Sequence, residues 1–223
     1  MLRGFENQLL DYLEVDKGKI LDIGCGQSPH LLSMVGTRFD LYAVDEDLNQ
    51  LRYLRQRVKD EAGDENRLYY FSEKFPSDTF TGLKFNGIIA SNILHFYSFT
   101  GAASFVERLE NYLADDGLIL IKVHNKDHGA NKAGSRTHFK HFFSREDLVN
   151  LFPPSRYELL FFSHKNYVKT TSYKNFLREW IRGEWLLEGV NDEEIIRQAQ
   201  DDYLKGNDEN SLTFLTRKRS TIS

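Results

Sequence analysis

The sequence predicts an α/β fold built on a doubly wound, mostly parallel sheet. A strand, a glycine turn and a helix start follow one another at residues 19–29, and short apolar strand segments then alternate with amphipathic helical ones. The 223 residues are 40% hydrophobic, which is enough for one sizeable core but short for two. We therefore expect a single domain over residues 1–223.

The turn after the first predicted strand is the most informative segment. Lys19–Ile23 is a short apolar run that Gly24 and Gly26 follow. Glycine permits backbone angles and a close ligand approach that a Cβ would obstruct. Ser28 and Pro29 are typical of an N-cap followed by the first residue of a helix. The segment is therefore predicted to be a ligand-binding turn.

The second predicted strand, residues 40–45, ends in a carboxylate that favours a nucleoside ligand. Asp45 lies roughly 20 residues beyond the glycines, where an acidic side chain can accept hydrogen bonds from both hydroxyls of a ribose. A dinucleotide favours a third glycine, but Pro29 stands there, which argues against the alternative of an NAD-dependent oxidoreductase. Asp22 adds a negative charge that repels phosphate and attracts an amino group. S-adenosylmethionine carries an amino group and a sulfonium cation without a phosphate, so its charges fit this pocket.

The outer parts of the chain are predicted to be helical. Residues 1–17 carry apolar side chains at helical spacing and predict an amphipathic helix that caps the sheet or the ligand pocket. Two further amphipathic helices are expected within residues 165–208, between a strand at 157–162 and a last strand at 211–216. We interpret these two helices as an insertion that forms a lid or an oligomer contact.

Several segments together resemble the class I S-adenosylmethionine-dependent methyltransferases over nearly the whole chain. Asp22–Gly26 is similar to the glycine-rich first motif of that family, and Asp45 matches its ribose-binding acid. Three later segments also resemble parts of the family's sheet. Residues 67–76 are similar to its third strand and the following turn, residues 85–96 to its fourth strand and the exit from it, and residues 113–121 to its turn into strand five.

The resemblance implies a Rossmann-like methyltransferase fold with a seven-stranded sheet, an antiparallel last strand and the helical insertion between strands six and seven. The chain departs from the family pattern at Asn86, where an aspartate is usual, and at Asp116, where a glycine is usual. The implied cofactor is S-adenosyl-L-methionine, which leaves as S-adenosyl-L-homocysteine. The implied cofactor-binding residues are Asp22, Gly24, Cys25, Gly26, Asp45, Glu46, Ser72, Glu73, Asn92 and Ile93, with Glu73 or alternatively Ser72 near the adenine.

Sequence motifs identify the residues that would act on the methyl acceptor less clearly than the cofactor-binding residues, because members of the family share no universal catalytic base. His95, His124 and Tyr97 follow strands four and five and are the candidates. Four histidines lie within residues 124–141, but a long Gly/Asn/Ser-rich gap separates the two pairs and fixes no metal geometry. We therefore expect no metal site, and one of the imidazoles could act as a general base near neutral pH.

Charge and composition limit the classes of molecule that the protein is expected to bind. The net charge of −4 and the isoelectric point near 6.0 give no general attraction to nucleic acid or to an anionic membrane. We expect methyl transfer to an O, N or S atom of a small-molecule acceptor, with no DNA and no membrane as partner. The alternatives are RNA or protein methylation and a catalytically degenerate cofactor-binding module. The lone Cys25 and the absence of a leader-like start favour the cytoplasm, and the oligomeric state stays open.

Overall fold

The structure describes six stretches of the chain. The computed structural model describes residues 6–63, 65–132, 139–168, 170–187, 189–204 and 208–219. Its helices are α1 (Glu6–Tyr12), α2 (Pro29–Met34), α3 (Leu48–Arg57), α4 (Phe99–Leu109), α5 (Gly129–Lys132), α6 (Arg145–Leu151), α7 (Thr171–Leu187) and α8 (Glu193–Leu204). Its strands are β1 (Gly18–Ile23), β2 (Phe39–Asp45), β3 (Leu68–Ser72), β4 (Phe85–Ser91), β5 (Leu113–His124), β6 (Tyr157–Val168) and β7 (Asp208–Lys218).

The seven strands form one sheet in the order β3-β2-β1-β4-β5-β7-β6. The pairs among β1 to β5 are parallel, while β7 runs antiparallel to both β5 and β6. The predicted doubly wound sheet with an antiparallel last strand is thus confirmed. The strand order reverses beside β1, and ligands of such sheets bind at that switch, outside the carboxyl ends of the strands.

The helical insertion between β6 and β7 is confirmed, but it begins later than predicted. β6 continues to Val168 and β7 begins at Asp208, so Lys165 pairs with Ser211 rather than starting the insertion. The end of β6 carries polar residues, because an edge strand need not bury both faces, and the hydrophobic pattern therefore ends before the strand does. The insertion consists of α7 and α8.

The core lies on both faces of the sheet. One face packs against α4 and α6, and the other packs against α1, α2 and α3. Leu9 of α1 is fully buried and lies over Gly87 of β4, where an added Cβ would come within 2.9 Å of the leucine side chain. The described part of the N-terminal helix therefore covers the sheet beside β1.

Both departures from the family pattern have structural roles. Asn86, at the start of β4, accepts a hydrogen bond from the Lys19 N–H through Oδ1 at 3.0 Å. Asp116 has a φ of 56°, in the left-handed region that glycine, asparagine and aspartate tolerate. Both residues lie near the amino ends of the parallel strands. Neither therefore alters the opposite edge, which carries the glycine turn.

Candidate cofactor and active site

Hydrogen bonds tie the turn after β1 to the end of β2. The Gly26 N–H donates to Asp45 Oδ2 at 2.7 Å, and the Cys25 N–H donates to the Val44 carbonyl at 3.0 Å. The other oxygen of Asp45 accepts the Asp47 N–H at 2.9 Å, next to the start of α3. Burial raises the pKa of Asp45, and these two N–H donors oppose that rise. Three of the predicted cofactor residues thus meet at one edge of the sheet.

Gly24 is the point where this turn contacts the loop after β4. Its φ is 59°, and an added Cβ would come within 2.4 Å of Ile93 Cγ2. Gly26 also has a positive φ, of 51°, but the nearest described atom to a Cβ there would be Gln50 Oε1 at 4.0 Å. Gly24 therefore permits a close contact within the protein, whereas Gly26 leaves open space beside the turn.

Asp22 supports the turn from inside the sheet. Its carboxylate is 1% exposed, and Oδ2 accepts the Ser28 hydroxyl at 2.5 Å. Ser28 Oγ in turn accepts the Leu31 N–H at 3.0 Å, as the predicted N-cap of α2. Asp22 Oδ1 has no hydrogen-bond partner among the described residues. Burial raises the pKa of Asp22 to about 7, so this carboxyl group changes charge near neutral pH.

The end of β3 brings the two adenine candidates to the same edge. Ser72 pairs in register with Asp45 and is exposed. Glu73 instead holds its own loop, because its Oε2 accepts the hydroxyls of Ser77 at 2.5 Å and Thr79 at 3.0 Å. The exposed side chain at this strand end is therefore Ser72.

Asn92 begins the loop after β4 in a left-handed conformation, with a φ of 60°. Its N–H donates to the Lys122 carbonyl of β5 at 2.8 Å, which extends the pairing of these strands by one bond. Asn92 Oδ1 is buried and accepts no hydrogen bond within the described stretches. A buried acceptor of this kind, beside Ile93 and the glycine turn, is suited to a ligand that donates hydrogen bonds.

Glu46 and Tyr97 follow β2 and β4, the two neighbours of β1. Glu46 is exposed at the end of β2, while the half-buried Tyr97 follows β4 and packs 5.5 Å from the Phe105 ring. Burial raises the pKa of Tyr97, and the negative charge of Glu46 raises it further. Because β1 lies between β2 and β4, the two residues follow the strands on either side of β1. Tyr97 keeps its proton at neutral pH and can donate a hydrogen bond at the edge.

A column of stacked imidazoles lies beside the ends of β4 and β5. The rings of His95 and His124 lie 4.1 Å apart and nearly parallel, and those of His124 and His128 are also 4.1 Å apart. All three side chains are buried, and Phe139 and Tyr203 of α8 pack against the column. Burial, followed by nearby positive charge, lowers the pKa of His95 well below 6.5, so its ring is neutral at pH 7.

His30, in the first turn of α2, is a buried titratable group that no sequence motif marked. Burial, and then the charge of Lys122, lower its pKa from 6.5 to about 4. Folding thus favours neutral His30, and stability is lost as pH falls from 6.5 towards 4, by about 3 kcal/mol. We expect His30→Leu to flatten this acid limb, measured as the melting temperature from pH 4 to pH 7. An acid limb as steep as in the parent chain would contradict this.

The described residues hold no group of three or more His, Cys, Asp or Glu side chains arranged for a metal ion. His95 and His124 stack face to face, whereas ligands of one metal direct their nitrogens to a common centre. His138, which belongs to the histidine-rich stretch of the sequence, lies outside the described residues. Among the helices in the described parts, none has the length and apolar character to cross a bilayer.

Comparison with known proteins assigns the chain to a family. A family model described as "Methyltransferase domain" matches residues 3–167. The chain belongs to this methyltransferase family. The resemblance to class I S-adenosylmethionine-dependent methyltransferases is thereby confirmed, and S-adenosylmethionine is the cofactor of this methyltransferase. No curated protein sequence matches the chain.

Solved structures share the fold of this methyltransferase at low sequence identity. A proposed methyltransferase of Bacillus halodurans C-125 is 16% identical with a TM-score of 0.66, and the match covers 97% of this chain and 99% of that one. The cyclopropane synthase MmaA2 of Mycobacterium tuberculosis is 17% identical with a TM-score of 0.62, covering 96% and 82%. Coclaurine N-methyltransferase bound to N-methylheliamine and S-adenosylhomocysteine is 10% identical with a TM-score of 0.61, covering 96% and 71%.

Proposed function

We propose that this methyltransferase transfers the methyl group of S-adenosylmethionine to an O, N or S atom of a small-molecule acceptor by in-line displacement. The observation that carries the proposal is the Gly26–Asp45 hydrogen bond, which joins the glycine turn to the carboxylate of β2 beside the loop of Ile93. The proposed cofactor contacts are Asp22, Gly24, Cys25, Gly26, Asp45, Glu46, Ser72, Glu73, Asn92 and Ile93.

The turn fits this cofactor. Open space beside Gly26 permits a ligand to approach the backbone, and Oδ1 of Asp22 and of Asn92 are buried acceptors suited to an ammonium group. Bound S-adenosylmethionine supplies a methyl group on a sulfonium whose sulfur becomes a neutral thioether after transfer. The protein then contributes mainly by holding the acceptor in line, and an acceptor that is protonated at neutral pH must lose a proton.

Among the catalytic candidates, Tyr97 is the one at an accessible position. His95 is 1% exposed and His124 is 4% exposed, so we assign these two imidazoles to supporting the loops beside the acceptor. The half-buried Tyr97 hydroxyl is proposed to donate a hydrogen bond to the acceptor. We also propose that residues 1–17 cap the single domain of residues 1–223 and that the helical insertion of α7 and α8 forms a lid or an oligomer contact.

Removing the Tyr97 hydroxyl tests its role. We expect Tyr97→Phe to lower kcat/KM for the acceptor about tenfold or more, because a positioned hydrogen bond is lost while the ring stays packed. The affinity for S-adenosylmethionine should remain unchanged. Tyr53→Phe, at an exposed tyrosine of α3, is the matched control. Loss of cofactor affinity in Tyr97→Phe, with kcat/KM following it, would assign Tyr97 to the cofactor instead.

A small molecule is favoured over RNA because both arginines of α7 form ion pairs with acidic residues of the protein. Arg178 pairs with Asp201 at 3.1 Å, and Arg182 pairs with Glu193 at 2.5 Å. The structure of coclaurine N-methyltransferase holds a small organic ligand, which supports an acceptor of the same size class here. The test is transfer of labelled methyl from S-adenosylmethionine to separate panels of small phenols, amines and thiols, of RNA, and of protein. Labelling of RNA or protein alone would overturn the small-molecule proposal.

A further inference from the structure

Carboxylates that form no ion pair among the described residues are concentrated at the cofactor edge, where Arg57 also donates to the Gln27 carbonyl of the turn at 3.0 Å. The ends of β1, β2 and β3 carry five of them, namely Asp22, Asp45, Glu46, Asp47 and Glu73. The ion pairs of the described residues involve none of the five. Asp22, which is 1% exposed, also has one oxygen without a described partner. These carboxylates are therefore not neutralised by ion pairs within the described stretches, and a bound cation would interact favourably with them.

Four of the five carboxylates have structural roles. Asp22 accepts the Ser28 hydroxyl, and Asp45 accepts two backbone N–H groups. Asp47 caps α3 by accepting the Asn49 N–H at 2.8 Å, while Glu73 holds the loop after β3. Glu46 is the exception, because it is exposed and accepts no hydrogen bond in the described part of the chain.

The position of Glu46 makes its charge relevant to the cofactor. Glu46 directly follows Asp45, whose carboxylate accepts the Gly26 N–H at 2.7 Å, so the charge of Glu46 lies next to the glycine turn. The proposed cofactor groove lies beside the glycine turn, and the cofactor that occupies it changes charge during the reaction. S-adenosylmethionine has a net charge of +1, from a sulfonium, an ammonium and a carboxylate, whereas S-adenosylhomocysteine is neutral overall.

We propose that Glu46 is a specificity determinant that favours the charged methyl donor over its neutral product. The proposal rests on the cofactor groove of the proposed function. Transfer breaks the S–CH3 bond, leaves its electron pair on sulfur and forms the bond from methyl to the acceptor atom. The positive charge therefore leaves the groove with the methyl group, and the attraction of Glu46 for the occupant falls. The carboxylate of Glu46 thus increases the affinity for S-adenosylmethionine but not for S-adenosylhomocysteine, which favours release of the product.

The test compares ligands that differ in charge at one atom. Dissociation constants of S-adenosylmethionine, S-adenosylhomocysteine and sinefungin, which carries an ammonium in place of the sulfonium, are measured by calorimetry at 50 mM and about 500 mM salt. We expect Glu46→Gln to weaken the two cationic ligands about three- to tenfold at low salt and the neutral product less than about twofold. High salt should reduce the difference.

Two further variants make the result specific. Glu158→Gln makes the same change at an exposed position near the start of β6, at the opposite end of the sheet, and should alter no ligand. Glu46→Asp keeps the charge and should preserve the preference for the cations. Equal weakening of all three ligands by Glu46→Gln, or no weakening, would overturn the proposal while leaving the cofactor assignment intact. If the parent chain bound none of the three ligands, both the role of Glu46 and the proposed cofactor groove would be overturned.

Discussion

Replacing Asp22 with asparagine is expected to stabilise the fold above pH 7 and to weaken cofactor binding. The pKa of Asp22 is raised from 3.8 to about 7 because the carboxylate is buried, so its ionisation costs stability as pH rises from about 4 and the full cost is present above 7. A shift of this size corresponds to roughly 4 kcal/mol. Asparagine removes the charge, and its Oδ1 can still accept the Ser28 hydroxyl. At pH 8 the free energy of unfolding should rise by about 2–4 kcal/mol, measured with urea.

The gain from Asp22→Asn should shrink towards zero near pH 4, where both side chains are neutral. Asp115→Asn, at an exposed aspartate of β5, is the matched control and should change stability by less than about 0.5 kcal/mol. Destabilisation by Asp22→Asn at pH 8 would show that the ionised carboxylate is satisfied in the fold.

The affinity for the cofactor should fall in Asp22→Asn, although the stability of the fold rises. We expect Asp22→Asn to weaken S-adenosylmethionine about 10- to 100-fold at pH 8, because an ammonium group loses its counter-charge. In the parent chain near pH 7, binding of this cation should release part of a proton from Asp22, which calorimetry in buffers of different ionisation enthalpy measures. Equal apparent enthalpies in phosphate and Tris would rule out this coupling.

Gly24→Ala is expected to disrupt both the fold and the cofactor turn. A left-handed alanine costs about 1–2 kcal/mol, and its Cβ would also lie 2.4 Å from Ile93 Cγ2, so we expect a total loss of about 2–4 kcal/mol. Displacement of the loop after β4 should abolish measurable binding of S-adenosylmethionine. Thermal and urea unfolding, with calorimetry for the cofactor, check both effects.

Gly36 provides the control for backbone strain alone. Its φ is 81°, but a Cβ there meets no described atom within 4 Å, so Gly36→Ala should cost only about 1–2 kcal/mol and leave the cofactor affinity unchanged. Adding Ile93→Ala to Gly24→Ala should recover part of the loss, since it removes the clashing atom. Strict additivity of the two substitutions would place the damage elsewhere.

The parts of the site that depend on short sequence patterns could be predicted. An apolar run, two glycines, Ser28 and Pro29 specify the strand, the turn and the helix start locally, because each residue acts through its own backbone or its nearest neighbours. The prediction of a seven-stranded sheet needed the family resemblance. Strand alternation alone allows several orders, and the resemblance supplied the number of strands and the antiparallel last strand, whereas the order itself comes from the structure.

The remaining features depend on residues far apart in the chain. The imidazole column joins His95 to His124, 29 positions later, and depends on how β4, β5 and α8 meet. The raised pKa of Asp22 depends on complete burial, which no local pattern encodes. The extent of β6 likewise depends on its pairing with β7, which comes after the insertion. Sequence periodicity registers none of these long-range contacts.

The place of β7 in the sheet has a consequence for synthesis of the chain. β7 is the last strand to be made, yet it lies between β5 and β6. While residues 208–218 are still within the ribosome, β5 presents unpaired backbone N–H and C=O groups along one side, and β6, whose only neighbour in the described sheet is β7, has no partner on either side. The nascent protein therefore cannot complete its sheet in order of translation, and a product that stops after α8 leaves one side of β5 open and β6 without a partner, which makes both strands prone to association.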